Sequence, residues 1–449
     1  VETLGYTAAM PPRRSRPYYG WYIVAGVLGS GVAMTALSGG PAFAIFVEPM
    51  SQDLGIGKSF FGWGHTARTV AVALSAPVIG RIIDRHGARS PLFVAGVVGG
   101  AMMVLLAFIT GGWQMIAIFG VMGLMGLQGG TGSLYNTVPL AKWFIRKRGQ
   151  VMAIAFLTTP IGILLLVPLL QLIITYWGWR EGILAMAFIG AVPTILIGLL
   201  VMRRQPEDMG LLPDGDSADD VARRTGASSL VSSGAPVQRL EEEYPWTRAE
   251  ALRSPAFWGL GLAYGLMSFS ISTVTIFRTP YFIELGFNPQ TVAFAAASEA
   301  VPALFMGLVL GFFLERLSYR LVAPLGFFLL AGSIVLAIVT TSVWHIFASH
   351  VLFGFGIAMV IVTQNTIWPA FFGRAHLGSI RGVALPVTLG IGAIGAPMAG
   401  IVKDSTGEYF PAWWIGVGGL LVGMVVISAL RQPRPTSATG VVLRDTRGD

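Results

Sequence analysis

The sequence predicts an all-α membrane protein of about twelve transmembrane helices, and three observations carry that prediction. Hydrophobic residues fill 54% of the 449 positions and charged residues only 12%, against about 25% charged in ordinary soluble domains. Apolar runs long enough to cross a bilayer recur along most of the chain. Glycine is abundant, at 58 residues, as expected where helices approach closely without a hydrophobic force between them. The mean hydropathy of +0.70 agrees. Cysteine is absent, which excludes disulfides, zinc–cysteine sites and thiol chemistry.

Windows of about twenty apolar residues place the spans at 19–46, 59–81, 91–110, 113–140, 150–175, 181–201, 256–283, 290–314, 320–341, 345–371, 379–402 and 410–430. The first is too long for a cleaved signal peptide, and no small-residue cleavage site precedes a soluble region. An even number of spans puts both termini on one side. That side collects Arg13, Arg14, Arg16, the segment 81–89, Lys142, Arg146, Lys147 and Arg148. Arg203, Arg204, Arg316, Arg320, Arg374, Arg381, Arg431 and Arg434 join them. The opposite loops hold Lys58, Arg180 and Lys403 among Glu48, Asp53, Glu284, Asp404 and Glu408. Cations are retained on the cytoplasmic face, so both termini are expected inside. The net charge of +8 then reflects topology, and no nucleic-acid partner is expected.

Composition changes between the sixth and seventh spans. Residues 203–245 contain Gln205-Pro206-Glu207-Asp208, Asp214-Gly215-Asp216 and a Ser/Gly/Ala stretch, too poor in apolar residues to bury a core. They predict a flexible cytoplasmic linker, and 246–256 a short amphipathic helix on the membrane surface. The expected organisation is a tail 1–18, a six-helix half 19–202, a linker with its surface helix 203–255, a second half 256–430 and a tail 431–449.

Two loops share a pattern. Gly80-Arg81-Ile82-Ile83-Asp84-Arg85-His86-Gly87-Ala88-Arg89 joins the second and third spans. Gly311-Phe312-Phe313-Leu314-Glu315-Arg316-Leu317-Ser318-Tyr319-Arg320 joins the eighth and ninth. Each places an acid four residues after glycine and arginine directly after the acid. The pattern resembles the loop signature of the major facilitator superfamily, strongly in the first copy and in degenerate form in the second. That resemblance implies two six-helix halves that rock about a central site. It also implies a cytoplasmic latch, or gate, formed by Gly80, Asp84 and Arg85 and by Gly311, Glu315 and Arg316. From the residues themselves, Gly80 would admit a close neighbouring helix. Asp84 sits at a helix C-terminus, where the dipole disfavours an anion, and needs a cationic or helix-N-terminal partner. A solvated charged loop is the plainer alternative.

The chain enters its first span through Tyr18-Tyr19-Gly20-Trp21-Tyr22. It enters the fifth through Trp143-Phe144-Ile145-Arg146-Lys147-Arg148-Gly149-Gln150, followed by Ala153, Thr159, Pro160 and Gly162. With Trp177-Gly178-Trp179-Arg180, Arg204-Gln205-Pro206-Glu207 and Phe257-Trp258, these resemble the monocarboxylate transporter and oxalate–formate antiporter branch. Two departures stand out. That branch carries an acid and, four residues later, an arginine in the eighth span; here Glu299 is followed by Ala303. The antiporters' eleventh-span lysine has no counterpart in 382–402.

Three charges fall inside spans: Arg68 near mid-depth in the second, Arg278 late in the seventh and Glu299 midway through the eighth. A charge at mid-bilayer costs about 2.5–3.5 kcal/mol and should face a cavity or a partner. A guanidinium presents a planar fork matched to a carboxylate, so Arg68 and Arg278 are candidate substrate anchors. Glu299 is the candidate for proton coupling, because burial and a nearby cation push a carboxyl in opposite directions. The alternative is a set of ion pairs sealing the outer gate, Arg278 with Glu284 for instance. Gln128, Tyr135 and Asn136 on the fourth span and Gln364 and Asn365 on the tenth form a second tier. They contact substrate, as the resemblance allows in placing the first, fourth, seventh and tenth helices around the cavity, or else bond between helices; only Tyr135 and Asn136, which resemble polar fourth-span positions of carboxylate carriers, lean toward substrate. Pro139, Pro160, Pro280 and Pro302 interrupt spans, as hinges do.

An enzyme finds no support, because no phosphate loop or nucleophile elbow stands in a structured context. His65, His86, His345, His350 and His376 are dispersed, with no second ligand at helical spacing, so neither metal nor cofactor is expected. The expected protein is a monomeric, multi-pass secondary carrier of the bacterial inner membrane. It would move a small organic anion, a mono- or dicarboxylate, by alternating access, as proton symport or anion exchange. The rival is a proton-driven exporter of drugs or other hydrophobic solutes, with Glu299 as its acid.

Overall fold

Helix is the only regular structure among the residues described by the computed structural model, which are 18–38, 40–127, 134–145, 147–215, 246–313, 319–373 and 377–433. The first half comprises α1 (Gly20–Leu37), a 3-10 turn (Pro41–Phe46), α2 (Val47–Leu54), α3 (Lys58–His86), α4 (Arg89–Ala107) and α5 (Gly112–Leu124). It continues with α6 (Leu134–Trp143), α7 (Arg148–Phe156), α8 (Thr158–Trp177) and α9 (Trp179–Leu200). The second half comprises α10 (Arg248–Arg253), α11 (Pro255–Thr275), α12 (Arg278–Glu284), α13 (Pro289–Ser298) and α14 (Ala300–Phe313). α15 (Tyr319–Ile338), α16 (Val343–Phe372), α17 (Leu377–Ala393), α18 (Gly395–Thr406) and α19 (Phe410–Ala429) complete it.

Among the described residues, eleven segments are long and apolar enough to cross a membrane. The expected fourth span differs: α5 has 13 residues and ends where Gly126 turns into the left-handed region at φ 65°. α6 resumes beyond residues that are not described.

Four expected spans are each two helices, and proline explains where they divide. A proline lacks the N–H that would bond the carbonyl four residues earlier. Pro160, Pro280, Pro302 and Pro397 thereby free the carbonyls of Phe156, Ile276, Ser298 and Ala393. α7 ends at Phe156, α11 at Thr275, α13 at Ser298 and α17 at Ala393. Pro77, Pro168, Pro193, Pro324, Pro369 and Pro386 sit inside helices that continue. Proline alone is therefore not sufficient to end a helix here.

The bundle has two polar ends. At the end where the described chain begins, the two aromatic signatures of the sequence meet. Tyr18 and Tyr19 pack on Trp143, and Tyr18 and Trp21 on Phe144, with ring centroids 5.5–6.0 Å apart. The Tyr18 hydroxyl also donates to the Trp143 carbonyl at 3.1 Å. Residues 203–215, assigned by composition to the linker, form two short 3-10 turns, Pro206–Met209 and Pro213–Gly215. The Asp214 carboxylate accepts from the backbone N–H of Ile145 and of Lys147, each at 3.0 Å. In the expected surface segment, Trp246 is buried against Phe372, ahead of the capping box of Thr247 and Glu250.

The opposite, far end joins the halves. α3 and α18 touch backbone to backbone: a Cβ on Gly400 would lie 2.5 Å from the Ser59 Cα. Asp404 accepts from the N–H groups of Lys58 at 2.7 Å and Ser59 at 2.9 Å, capping the N-terminus of α3 from the other half. Lys58 pairs with Glu48 and reaches Glu284 at 3.6 Å, while Lys403 holds Glu284 at 2.6 Å.

Candidate functional site

Arg68 lies on the inward face of α3. Phe61, Ala71, Ile79 and Ile83 share that face at helical spacing and are buried with it. Arg68 as a whole is only 7% exposed. Its Nη1 donates to the Leu127 carbonyl at 3.4 Å, and its Nε has no partner among the described residues. No carboxylate pairs with it there either, so its charge is not cancelled locally.

The second charged centre lies wholly in the second half. Glu299 stands at the break that Pro302 opens between α13 and α14. Its backbone carbonyl presses on α16 where Gly354 admits it, since a Cβ there would sit 2.2 Å from that oxygen. One turn earlier on the same helix is His350, and Phe353 lies between them. This crossing builds a triad. Arg278 Nη2 donates to Glu299 Oε2 at 2.5 Å, and His350 Nδ1 meets the same oxygen at 3.1 Å. The side chains are 5%, 12% and 2% exposed for Arg278, Glu299 and His350, so these contacts lie out of water. The Arg278 guanidinium lies 4.5 Å over the Phe353 ring, a cation–π contact. Its Nε and Nη1, and His350 Nε2, have no partner among the described residues.

The alternative pairing of Arg278 with Glu284 is therefore overturned, because Glu284 is held by Lys403 and Lys58. Spacing alone leaves His350 among the dispersed histidines, because its partners lie on other helices. The signal was available, since it is a titratable residue inside a long apolar run.

The second tier divides. Tyr135 donates to the Met125 carbonyl at 2.6 Å, closing the end of α5. Asn136 is fully buried, with neither amide atom partnered among the described residues. Asn365 accepts from Arg381 Nη2 at 3.1 Å, and Gln364 beside it is half-buried. Gln128, Glu315 and Arg316 lie outside the described residues, as does the side chain of Asp84. Arg85 is exposed in the last turn of α3, and Gly311 falls within α14. A Cβ on Gly80 would meet the Leu134 Cδ1 at 3.8 Å. That is ordinary contact, so close helix approach is not what glycine serves there.

Among the described residues no group of three His, Cys, Asp or Glu side chains could hold a metal. A groove of about 600 Å³ between α3 and α5 is lined by apolar groups such as Trp63, Val70, Leu74 and Trp113. Leu74 and Trp113 face outward, and the groove contains none of the charged residues.

A bundle of apolar helices with desolvated charges in its interior marks the chain as a multi-pass membrane protein, and its family and relatives make it a transporter. It belongs to the Major Facilitator Superfamily, whose family model matches residues 26–397. Monocarboxylate transporter 12-B of Danio rerio is 22% identical over 426 residues, covering 91% of this chain and 86% of that protein. An Agrobacterium vitis protein named "Putative tartrate transporter" is 23% identical over 405 residues, covering 86% and 88%. Among solved structures, the nucleoside transporter NupG superposes with a TM-score of 0.67 at 13% identity, covering 91% of this chain and 99% of its own. A bacterial homologue of the human lysosomal transporter Spinster, inward-facing and occupied, gives 0.63 at 14%, covering 92% and 95%. At those identities the two structures speak for the fold alone.

Proposed function

We propose that the chain is a secondary carrier of small organic anions, mono- or dicarboxylates, built from twelve membrane helices in two six-helix halves. The observation that carries this reading is Arg68, a buried guanidinium in a span with no carboxylate partner among the described residues. A substrate carboxylate beside it would supply the missing counter-charge in the bidentate geometry that guanidinium favours. Arg278 is already neutralised by Glu299 and becomes available only when a proton arrives at the triad. Substrate affinity and proton affinity are then linked, as symport requires; exchange of anions would use the same site without the proton. The relatives named for monocarboxylates and tartrate support an anionic substrate.

In this reading α5 and α6 make up the fourth span. The termini are cytoplasmic, since the end with Arg81, Arg85, Arg89, Lys142, Lys147, Arg203 and Arg204 is the cation-rich one. Each far-end cation, by contrast, faces an acid: Lys58 with Glu48, Arg180 with Asp53 and Lys403 with Glu284. The bonded far end holds the two halves together there. The test is uptake of radiolabelled lactate and tartrate into proteoliposomes, with an alkaline interior or a trapped counter-anion. Saturable uptake of at least one, with a raised KM in Arg68→Ala, is the expected result. Movement of a cationic dye and of neither acid would replace this reading with the drug-exporter one.

A further inference from the structure

We propose that the proton accompanying the substrate is held on Nε2 of His350, with Glu299 remaining ionised throughout. This inference rests on the reading of the chain as a proton-coupled anion carrier and names the atom that takes the proton. Both His350 Nδ1 and Arg278 Nη2 bond to the one oxygen, Oε2 of Glu299. A neutral imidazole that faces an ionised carboxylate through Nδ1 carries its hydrogen there, which leaves Nε2 as a bare lone pair. That atom is buried and has no partner among the described residues. Buried polar atoms are almost always paired, so an unpaired one within a charged triad asks for a role.

The alternative acceptor is Glu299. A proton placed there would set a neutral acid between a guanidinium and an imidazole N–H, and would trade two charge-assisted hydrogen bonds for weaker ones. A proton on His350 keeps both and turns one into a full ion pair. The groups facing His350 are few. Glu299 comes from the α13–α14 break and Arg278 from α12, with the Phe282 ring 6.1 Å from the imidazole. α15 brings Ser333, whose carbonyl accepts from Ser349, and its Arg320 lies at the opposite end. α17 brings Arg381, which bonds Asn365, about four turns along α16 from His350.

The step balances simply. A hydronium ion gives its proton to the Nε2 lone pair: an N–H bond forms as an O–H bond breaks, and water is released. The triad goes from neutral, with Arg278 positive and Glu299 negative, to a single positive charge. The imidazolium then shares the carboxylate, and Arg278 presents Nε and Nη1 with uncompensated charge. A substrate carboxylate settles there and restores neutrality, so proton and anion load together and leave together.

His350→Asn tests this. The amide N–H can replace Nδ1–H toward Glu299 but offers no titratable nitrogen. Lactate and tartrate uptake would be measured in proteoliposomes across about pH 5 to 8, the range where histidine changes charge, with proton flux read by a pH dye. The wild type should show a KM that climbs with pH. H350N should show a KM fixed at the wild type's high-pH value, with proton flux at background. A wild-type pH slope in H350N overturns the assignment and leaves the anion-carrier reading standing. So does loss of uptake at every pH in a variant that elutes as folded, because that marks structural support only. If the wild type moves neither acid, the underlying reading itself falls. Should H350N not purify, His350→Gln carries the same comparison, with its amide at the reach of Nε2.

Discussion

Arg68 and Arg278 are the same residue type in opposite electrostatic conditions. Among the described residues Arg68 has only a long hydrogen bond to a carbonyl, whereas Arg278 has a short bond to a carboxylate. Hydrogen bonds to charged groups contribute about 1.5–3 kcal/mol. Arg68→Ala is therefore expected to raise KM by about ten- to a hundredfold, with Arg68→Lys recovering only part because it loses the fork. KM from initial uptake rates checks this, and an unchanged KM in Arg68→Ala would remove Arg68 from the site. Glu299→Gln leaves Arg278 buried without its counter-charge, a change that typically costs about 3–5 kcal/mol. Its melting temperature should fall, and added tartrate should raise it more than in the wild type, because the anion fills the vacated role. The sequence made these charges legible individually, since each interrupts an apolar run. It did not disclose their pairing, which depends on how four helix segments are rotated about their axes. Residues six apart point about 120° apart on a helix, so spacing alone places Arg278 and Glu284 poorly for pairing.

At the scale of elements, the helix breaks that shape the site are readable from proline positions, although which prolines act is not. Pro302 yields a break because Glu299 then turns its carbonyl onto α16, where Gly354 makes room. Neither residue reports this alone, because the contact joins positions fifty-five apart. Gly354→Ala should wedge α16 away from the α13–α14 break. Overpacking of this kind costs about 1–3 kcal/mol, and the melting temperature should drop accordingly. Because the same helix carries His350, the pH dependence of KM should weaken in parallel. A variant with normal stability and a normal pH profile would show that the crossing does not position the triad. The fourth span was the element least legible in advance. A run at 113–140 reads as continuous by hydropathy, yet the left-handed Gly126 ends α5 early.

For the whole molecule, the two ends have different tasks. The cross-half hydrogen bonds and ion pairs named among the described residues lie in the far half of the bundle. They run from Asp404 and Glu284 to Lys58 and Ser59, from Thr66 to the Ala393 carbonyl and from Gln290 to the Pro168 carbonyl. Asp404 is the informative member, because both its oxygens accept from the first turn of a helix in the other half, where an anion also meets the positive end of the dipole. Asp404→Ala removes both bonds and leaves two N–H groups for water to fill once the far end parts. An alternating-access carrier balances two conformations that differ by a few kcal/mol. Losing two charge-assisted hydrogen bonds, each contributing about 1.5–3 kcal/mol, is enough to move that balance toward opening at the far end. The absence of native cysteine makes the measurement direct. Spin labels at Gln52→Cys and Ser405→Cys, exposed positions in opposite halves, would report the far-end distance by electron double resonance. In the Asp404 background the distribution should gain a longer component at the expense of the short one. Substrate at low pH should return part of it, and an unaltered distribution would mean that Asp404 caps α3 without latching the halves.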